Sequence, residues 1–169
     1  IVMKKIMFLR SLVILGLSLT LLSCSGADAT PEVATQPTIT LTNYTHSAFE
    51  VELLDLVNQD RVSKGLNALT IINEVSYLAS THDDYMISNG VASHDNFDQR
   101  SSTLKNTLSA ISVSENVAAG FNTPASTLAA WNASPSHKAN LEGNHTHYGL
   151  AVKADAAGKK YYTLLFIRK

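Results

Sequence analysis

The C-terminal stretch "HYGLAVKADAAGKKYYTLLFI" restricts the fold most. Two apolar runs, residues 148–153 and 160–167, flank a Gly-containing turn and read as paired β-strands. The segments before them read mainly as helix, so helices come first and strands last. That order predicts an α+β domain in which a small antiparallel sheet is covered by helices. A further strand, central in the sheet, is predicted near residues 111–113, and neither an internal repeat nor a second domain is visible.

The helices follow from apolar spacing. From His46 onward, Phe49, Leu53, Leu56, Val57 and Val62 recur at steps of three and four until Lys64 and Gly65 close the pattern. A second helix follows Asn73, read as its N-cap, and carries Val75, Leu78, Ala79, His82, Tyr85 and Met86 along one face as far as Gly90. The polar, turn-forming "VASHDNFDQRSS" leads to a weaker helical signal through Leu104 and Leu108. Thr123 and Pro124 then form an N-cap followed by proline, Leu128 and Trp131 share a face, and Ser134 with Pro135 ends that helix.

At the other end, "MKKIMFLRSLVILGLSLTLLSC" has the basic start, apolar run and small residues of a secretory signal. Its apolar core of about 12 residues is shorter than the roughly 20 that a spanning helix needs. "LLSC" has the form of a bacterial lipobox, which makes residues 1–23 a lipoprotein signal peptide and Cys24 the lipid-bearing first residue of the mature chain. More than one acyl chain gives stable anchoring to a membrane. Residues 24–45, rich in Thr, Ala and Pro, read as a flexible tether, with a first strand around 38–41 as the other reading. Cys24 is the only cysteine, so the domain over residues 46–169 holds by its core without a disulfide.

The whole chain has 13 basic and 14 acidic residues. Removal of Lys4, Lys5 and Arg10 with the signal leaves 10 against 14, a net charge of −4. No basic stripe interleaved with aromatics is present, which argues against nucleic acid as a partner.

Three groups draw attention as chemistry. His94, Glu115 and His137 lie in short turn-rich segments, 21 and 22 residues apart, where a scaffold commonly displays functional side chains. Two imidazoles and a carboxylate are a ligand set for zinc, with a further position open to water. The ordinary alternative is that each braces its own turn, with His137 in the first turn of a short helix capped by Ser136. His145 and His147 would share one side of a strand as a metal pair, but a solvated loop is the simpler reading. His82 reads as a packed or boundary histidine, Trp131 as a core anchor and Asn116 as a turn-fixing residue.

The succession "SHDNF", "SENVAAG", "TPASTLAAWNASPSHKANL", "HYGLAV" and "YYTLLFI" resembles the bacterial branch of the CAP superfamily, the SCP-like extracellular domains related to cysteine-rich secretory proteins, antigen 5 and pathogenesis-related proteins. The resemblance runs from about Phe49 to Ile167. It implies a three-layer α-β-α sandwich with a surface cleft lined by two histidines and acidic residues. His94 falls on the first cleft histidine, Glu115 on the first cleft glutamate and His137 on the second histidine. Ser134 stands where many eukaryotic members have a second glutamate, and Leu164 where relatives usually carry glutamine.

Two functional readings follow. In the first, the chain is an exported, lipid-anchored protein of the bacterial cell envelope. It serves as a binding or interaction module for a lipid, peptide or envelope ligand, and its cleft (His94, Glu115, Ser134, His137) is open to Zn2+ or another divalent cation through His94, Glu115 and His137. In the second, it is a metal-dependent hydrolase of peptide or cell-wall material, with Glu115 as the catalytic base and metal-activated water as nucleophile.

Overall fold

The computed structural model describes residues 44–169. The expected signal over 1–23, lipidated Cys24, nearly all of the 24–45 tether and the alternative strand at 38–41 lie outside the described residues.

Helix α1 (Ala48–Ser63) starts in a reciprocal capping box: the Glu50 N–H donates to Ser47 Oγ while the Ser47 N–H donates to the Glu50 carboxylate. It buries Leu53, Leu54 and Val57. A two-residue strand β1 (Thr70–Ile71), which has no counterpart in the sequence reading, is followed by α2 (Asn73–Asn89). Ile72 is the N-cap of α2 and makes no side-chain cap, so Asn73 is its first helical residue instead. Gly90 ends it in the left-handed region, with φ 71°. Then come α3 (Phe97–Leu108), β2 (Ser112–Ala119), α4 (Pro124–Ala133), α5 (Pro135–Leu141), β3 (His147–Ala154) and β4 (Lys160–Arg168).

The four strands form one sheet in the order β1-β3-β4-β2. β3 and β4 make the expected hairpin and β2 pairs antiparallel to β4, but β1 runs parallel to β3. The sheet is therefore mixed, not purely antiparallel. The chain between β1 and β3 passes through four helices and β2, which leaves room for the crossover that a parallel pair requires. β2 is longer than expected and lies at the sheet edge instead of its centre. The central places go to β3 and β4, whose apolar runs suit burial on both faces.

β4 shows this most clearly, since every residue from Tyr161 to Ile167 is buried. On one face Tyr162, Leu164 and Phe166 pack with Leu53, Leu54, Trp131 and Leu141 of α1, α4 and α5. On the other, Leu165 and Ile167 pack with Val75, Ala79 and Leu104 of α2 and α3. Alternation along one strand thus builds both interfaces of a three-layer α-β-α domain. α2 lies so close to β3 that a Cβ on Gly149 would fall 2.4 Å from the Ser76 backbone nitrogen. Trp131 is 1% exposed and its Nε1–H donates to the Val117 carbonyl at 3.1 Å, which pins α4 to the β2 edge.

Candidate functional site

The cleft lies at the β2 edge of the sheet. Its geometry depends on adjacent strand residues pointing to opposite faces. Glu115 turns toward the α2/α3 layer and Asn116 toward the layer of α4 and α5. In "SEN", two neighbouring side chains therefore reach into two different layers.

On the first side, His94 lies in the loop between α2 and α3, and its Nδ1 is 2.9 Å from Glu115 Oε1. The His94 side chain is 51% exposed while that of Glu115 is 1% exposed. Arg100, in the first turns of α3, donates from Nε to Glu115 Oε2 at 2.7 Å and from Nη2 to Oε1 at 2.8 Å. Its Nη1 donates to the Asp95 carbonyl at 2.7 Å, which closes the loop that carries His94. Asn96 enters α3 at φ 59°, a left-handed conformation that asparagine tolerates. His82, buried and stacked on Tyr85, shares a 2.8 Å hydrogen bond with the Ser93 carbonyl and so steadies the residue before His94.

On the second side, His137 occupies the first turn of α5, and its ring centroid is 6.2 Å from that of His94. Asn116 donates to the His137 carbonyl at 3.0 Å, while Asn140 donates to the Glu115 carbonyl at 3.0 Å and to Asn116 Oδ1 at 2.9 Å. These asparagines fasten α5 to the strand edge. From behind, Arg61 of α1 donates to the Leu141 and Gly143 carbonyls at 2.7 and 3.0 Å. A cation is favourable at that helix terminus. Asn116 thus fixes a helix against a strand and not its own turn.

His94, His137 and Glu115 do converge, around a cavity of about 260 Å³ to which Phe97, Ser114, Ser136 and Asn140 also contribute. Ser136, not Ser134, lines it. Ser134 is both the C-cap of α4 and the N-cap of α5, with its hydroxyl 3.3 Å from that of Ser136.

Electrostatically the site is a locked ion pair beside two imidazoles. Burial alone would raise the Glu115 carboxyl, but the hydrogen bonds from His94 and Arg100 and the guanidinium charge outweigh it, holding the group below the usual glutamate range. Burial, with a smaller push from His94, lowers His137. Among the described residues no group of three or more His, Cys, Asp or Glu is disposed to hold a metal ion. The physical reason is that both Glu115 oxygens are already engaged by Arg100 and His94.

The other histidines are not a metal pair. His145 is 7% exposed, not solvated; it stacks on Phe166 with centroids 5.0 Å apart. Its Nε2 is 3.1 Å from the Asn140 carbonyl and 3.3 Å from Ser114 Oγ. His147 pairs separately with Thr146 Oγ1 at 2.8 Å.

Arg100 and Asn140 are the residues that the sequence reading missed. A signal existed for Arg100, since Phe97, Arg100, Ser101 and Leu104 form a helical stripe in which a cation occupies a buried phase. A buried guanidinium needs acceptors, a carboxylate at Arg100 and backbone carbonyls at Arg61.

Three layers, an edge cleft and two facing histidines define an α-β-α sandwich with a histidine-lined surface site. The chain belongs to the CAP, or cysteine-rich secretory protein, family, whose model matches residues 54–166. Among solved structures, an outer surface protein of Borrelia burgdorferi is similar in fold, with a TM-score of 0.65 and 21% identity over 75% of this chain and 98% of that one. A cysteine-rich secretory protein of Staphylococcus aureus matches with a TM-score of 0.59 and 25% identity, covering 71% of this chain and 38% of that one. An extracellular protein containing an SCP domain from Bacillus anthracis matches with a TM-score of 0.62 and 28% identity, covering 71% of this chain and 40% of that one. No curated protein matches.

Proposed function

We propose that the chain is an exported CAP-domain protein of the bacterial envelope, anchored through lipid on Cys24, whose edge cleft binds a lipid, peptide or other envelope ligand without hydrolysing it. Export is supported by the apolar N-terminal run ending in "LLSC" and by relatives described as outer-surface, secretory and extracellular proteins. The observation that carries the binding reading is the state of Glu115. A general base must be free to take a proton and have an affinity matched to the task. Glu115 is instead buried, bonded through both oxygens and held ionised below its usual range. What remains accessible is a shallow wall of imidazole, hydroxyl, amide and phenyl groups, suited to polar contacts around a small apolar patch.

The test is co-sedimentation of the purified protein with an isolated envelope fraction, alongside assays for release of peptide or glycan from the same material. Binding that falls in the His94→Ala/His137→Ala variant, with no Glu115-dependent release, is expected. Release abolished by Glu115→Gln would replace this reading with the hydrolase. Incorporation of labelled palmitate at Cys24, lost in Cys24→Ala, tests the anchor.

A further inference from the structure

We infer that Arg100 sets the ligand class of this cleft: by occupying both oxygens of Glu115 it withdraws the one carboxylate among the lining residues and keeps divalent metal out from between His94 and His137. The inference goes beyond the binding-module reading and does not depend on which ligand the cleft takes.

Three observations carry it. The first is geometric occupancy. Glu115 Oε2 receives Arg100 Nε at 2.7 Å, and Oε1 receives Arg100 Nη2 at 2.8 Å and faces His94 Nδ1 at 2.9 Å. These contacts take three of the carboxylate's roughly four lone-pair sites, and with the Glu115 side chain 1% exposed a metal entering from the cleft meets little free oxygen. The second is that the guanidinium is not free to swing away. Its Nη1 is tied to the Asp95 carbonyl at 2.7 Å, and its side chain is 7% exposed. Bidentate charge-assisted pairs of this kind are the strong ones, and a metal would have to break both contacts in a buried setting. The third is charge. The Arg100 cation cancels the Glu115 anion, so the histidines stand beside a neutral pair, and a divalent cation there would feel the guanidinium at short range. Two imidazoles alone fall short of the three protein ligands that a zinc site with an open position ordinarily has.

It follows that loss of Arg100 creates the site that the sequence suggested. In Arg100→Met the carboxylate is released next to His94 and His137, and the set becomes two imidazoles and an anion.

The experiment is zinc titration of the purified protein by calorimetry, with thermal melts with and without zinc, for the wild type, Arg100→Met, Glu115→Gln and Arg100→Met/Glu115→Gln. Arg100→Met is expected to bind zinc roughly 10-fold or more tightly than the wild type. It should also gain melting temperature on zinc addition, as a ligand specific for the native state requires. The double variant should lose that gain, and Glu115→Gln alone should leave the weak wild-type affinity within about twofold, because Gln still offers His94 an acceptor. Should Arg100→Met fail to fold, Arg100→Lys retains the charge but lacks the planar fork that grips both oxygens in parallel, and it is expected to bind zinc more tightly than the wild type. The inference is overturned if the wild type binds zinc as tightly as whichever Arg100 variant folds. It is also overturned if Glu115→Gln abolishes wild-type zinc binding.

Discussion

Arg100 grips Glu115 through two parallel hydrogen bonds, 2.7 and 2.8 Å long, from α3 to the edge strand. Beside this pair, His94 shares Oε1 at 2.9 Å. The pair does two things at once: it orients an exposed histidine and it closes α3 over β2. Breaking it from either side should be expensive, because a charge would be left buried without its partner. Arg100→Met is expected to cost about 3–5 kcal/mol in urea unfolding, whereas Arg100→Met/Glu115→Leu should recover much of that loss. Additive losses would mean that the two residues are energetically independent.

Asn116 should matter to the cleft through α5. Asn116→Ala removes the bond to the His137 carbonyl and the acceptor for Asn140. A cost of about 1–3 kcal/mol is expected for these buried groups. Hydrogen exchange should localise the effect, with the α5 amides exchanging faster while those of β3 and β4 stay protected. Uniform acceleration across the sheet would argue that Asn116 supports the core as a whole.

Asp83, which does not line the cleft, predicts a second pH dependence. Its side chain is wholly buried on α2, Oδ1 accepts the Thr163 hydroxyl at 2.6 Å, and Oδ2 has no hydrogen-bond partner among the described residues. Burial raises this carboxyl well above the ordinary aspartate range, against the opposing Thr163 bond and Lys153 charge. The native state then keeps a proton that the unfolded chain has lost, so stability falls as pH climbs from the ordinary aspartate range toward the native value. Asp83→Asn removes the titration. The variant should be the more stable at about pH 7, with the gap closing toward about pH 4. A gap that does not change with pH would contradict the assignment.

The layered fold was readable from the chain because its main signals are local. Apolar spacing located α1 and α2, Thr123-Pro124 located the start of α4, and the Gly-containing turn located the β3–β4 hairpin. What escaped depends on placement in space. β1 is two residues long, too short to show a period, and it exists because it lies along β3. β2 is expected at the centre, yet it lies at an edge, covered by Trp131 and α5. His94, Glu115 and His137 could be named from the order of their motifs. Which of their atoms remain free could not, because Arg100 enters from a helix whose sequence signal was weak. His145 was misjudged for a related reason: the loop before β3 folds inward, where the ring stacks on Phe166.

The binding reading rests on Glu115 being a fixed anion and not a poised base. The most direct measurement is an NMR titration of the Glu115 side-chain carboxyl carbon in the intact protein. We expect a midpoint below the ordinary glutamate value of about 4.3, with the depression reduced but not abolished in Arg100→Lys, which keeps the His94 bond and the positive charge. A midpoint at or above that ordinary value, unchanged by Arg100→Lys, would contradict the locked pair and return Glu115 to the role of a base.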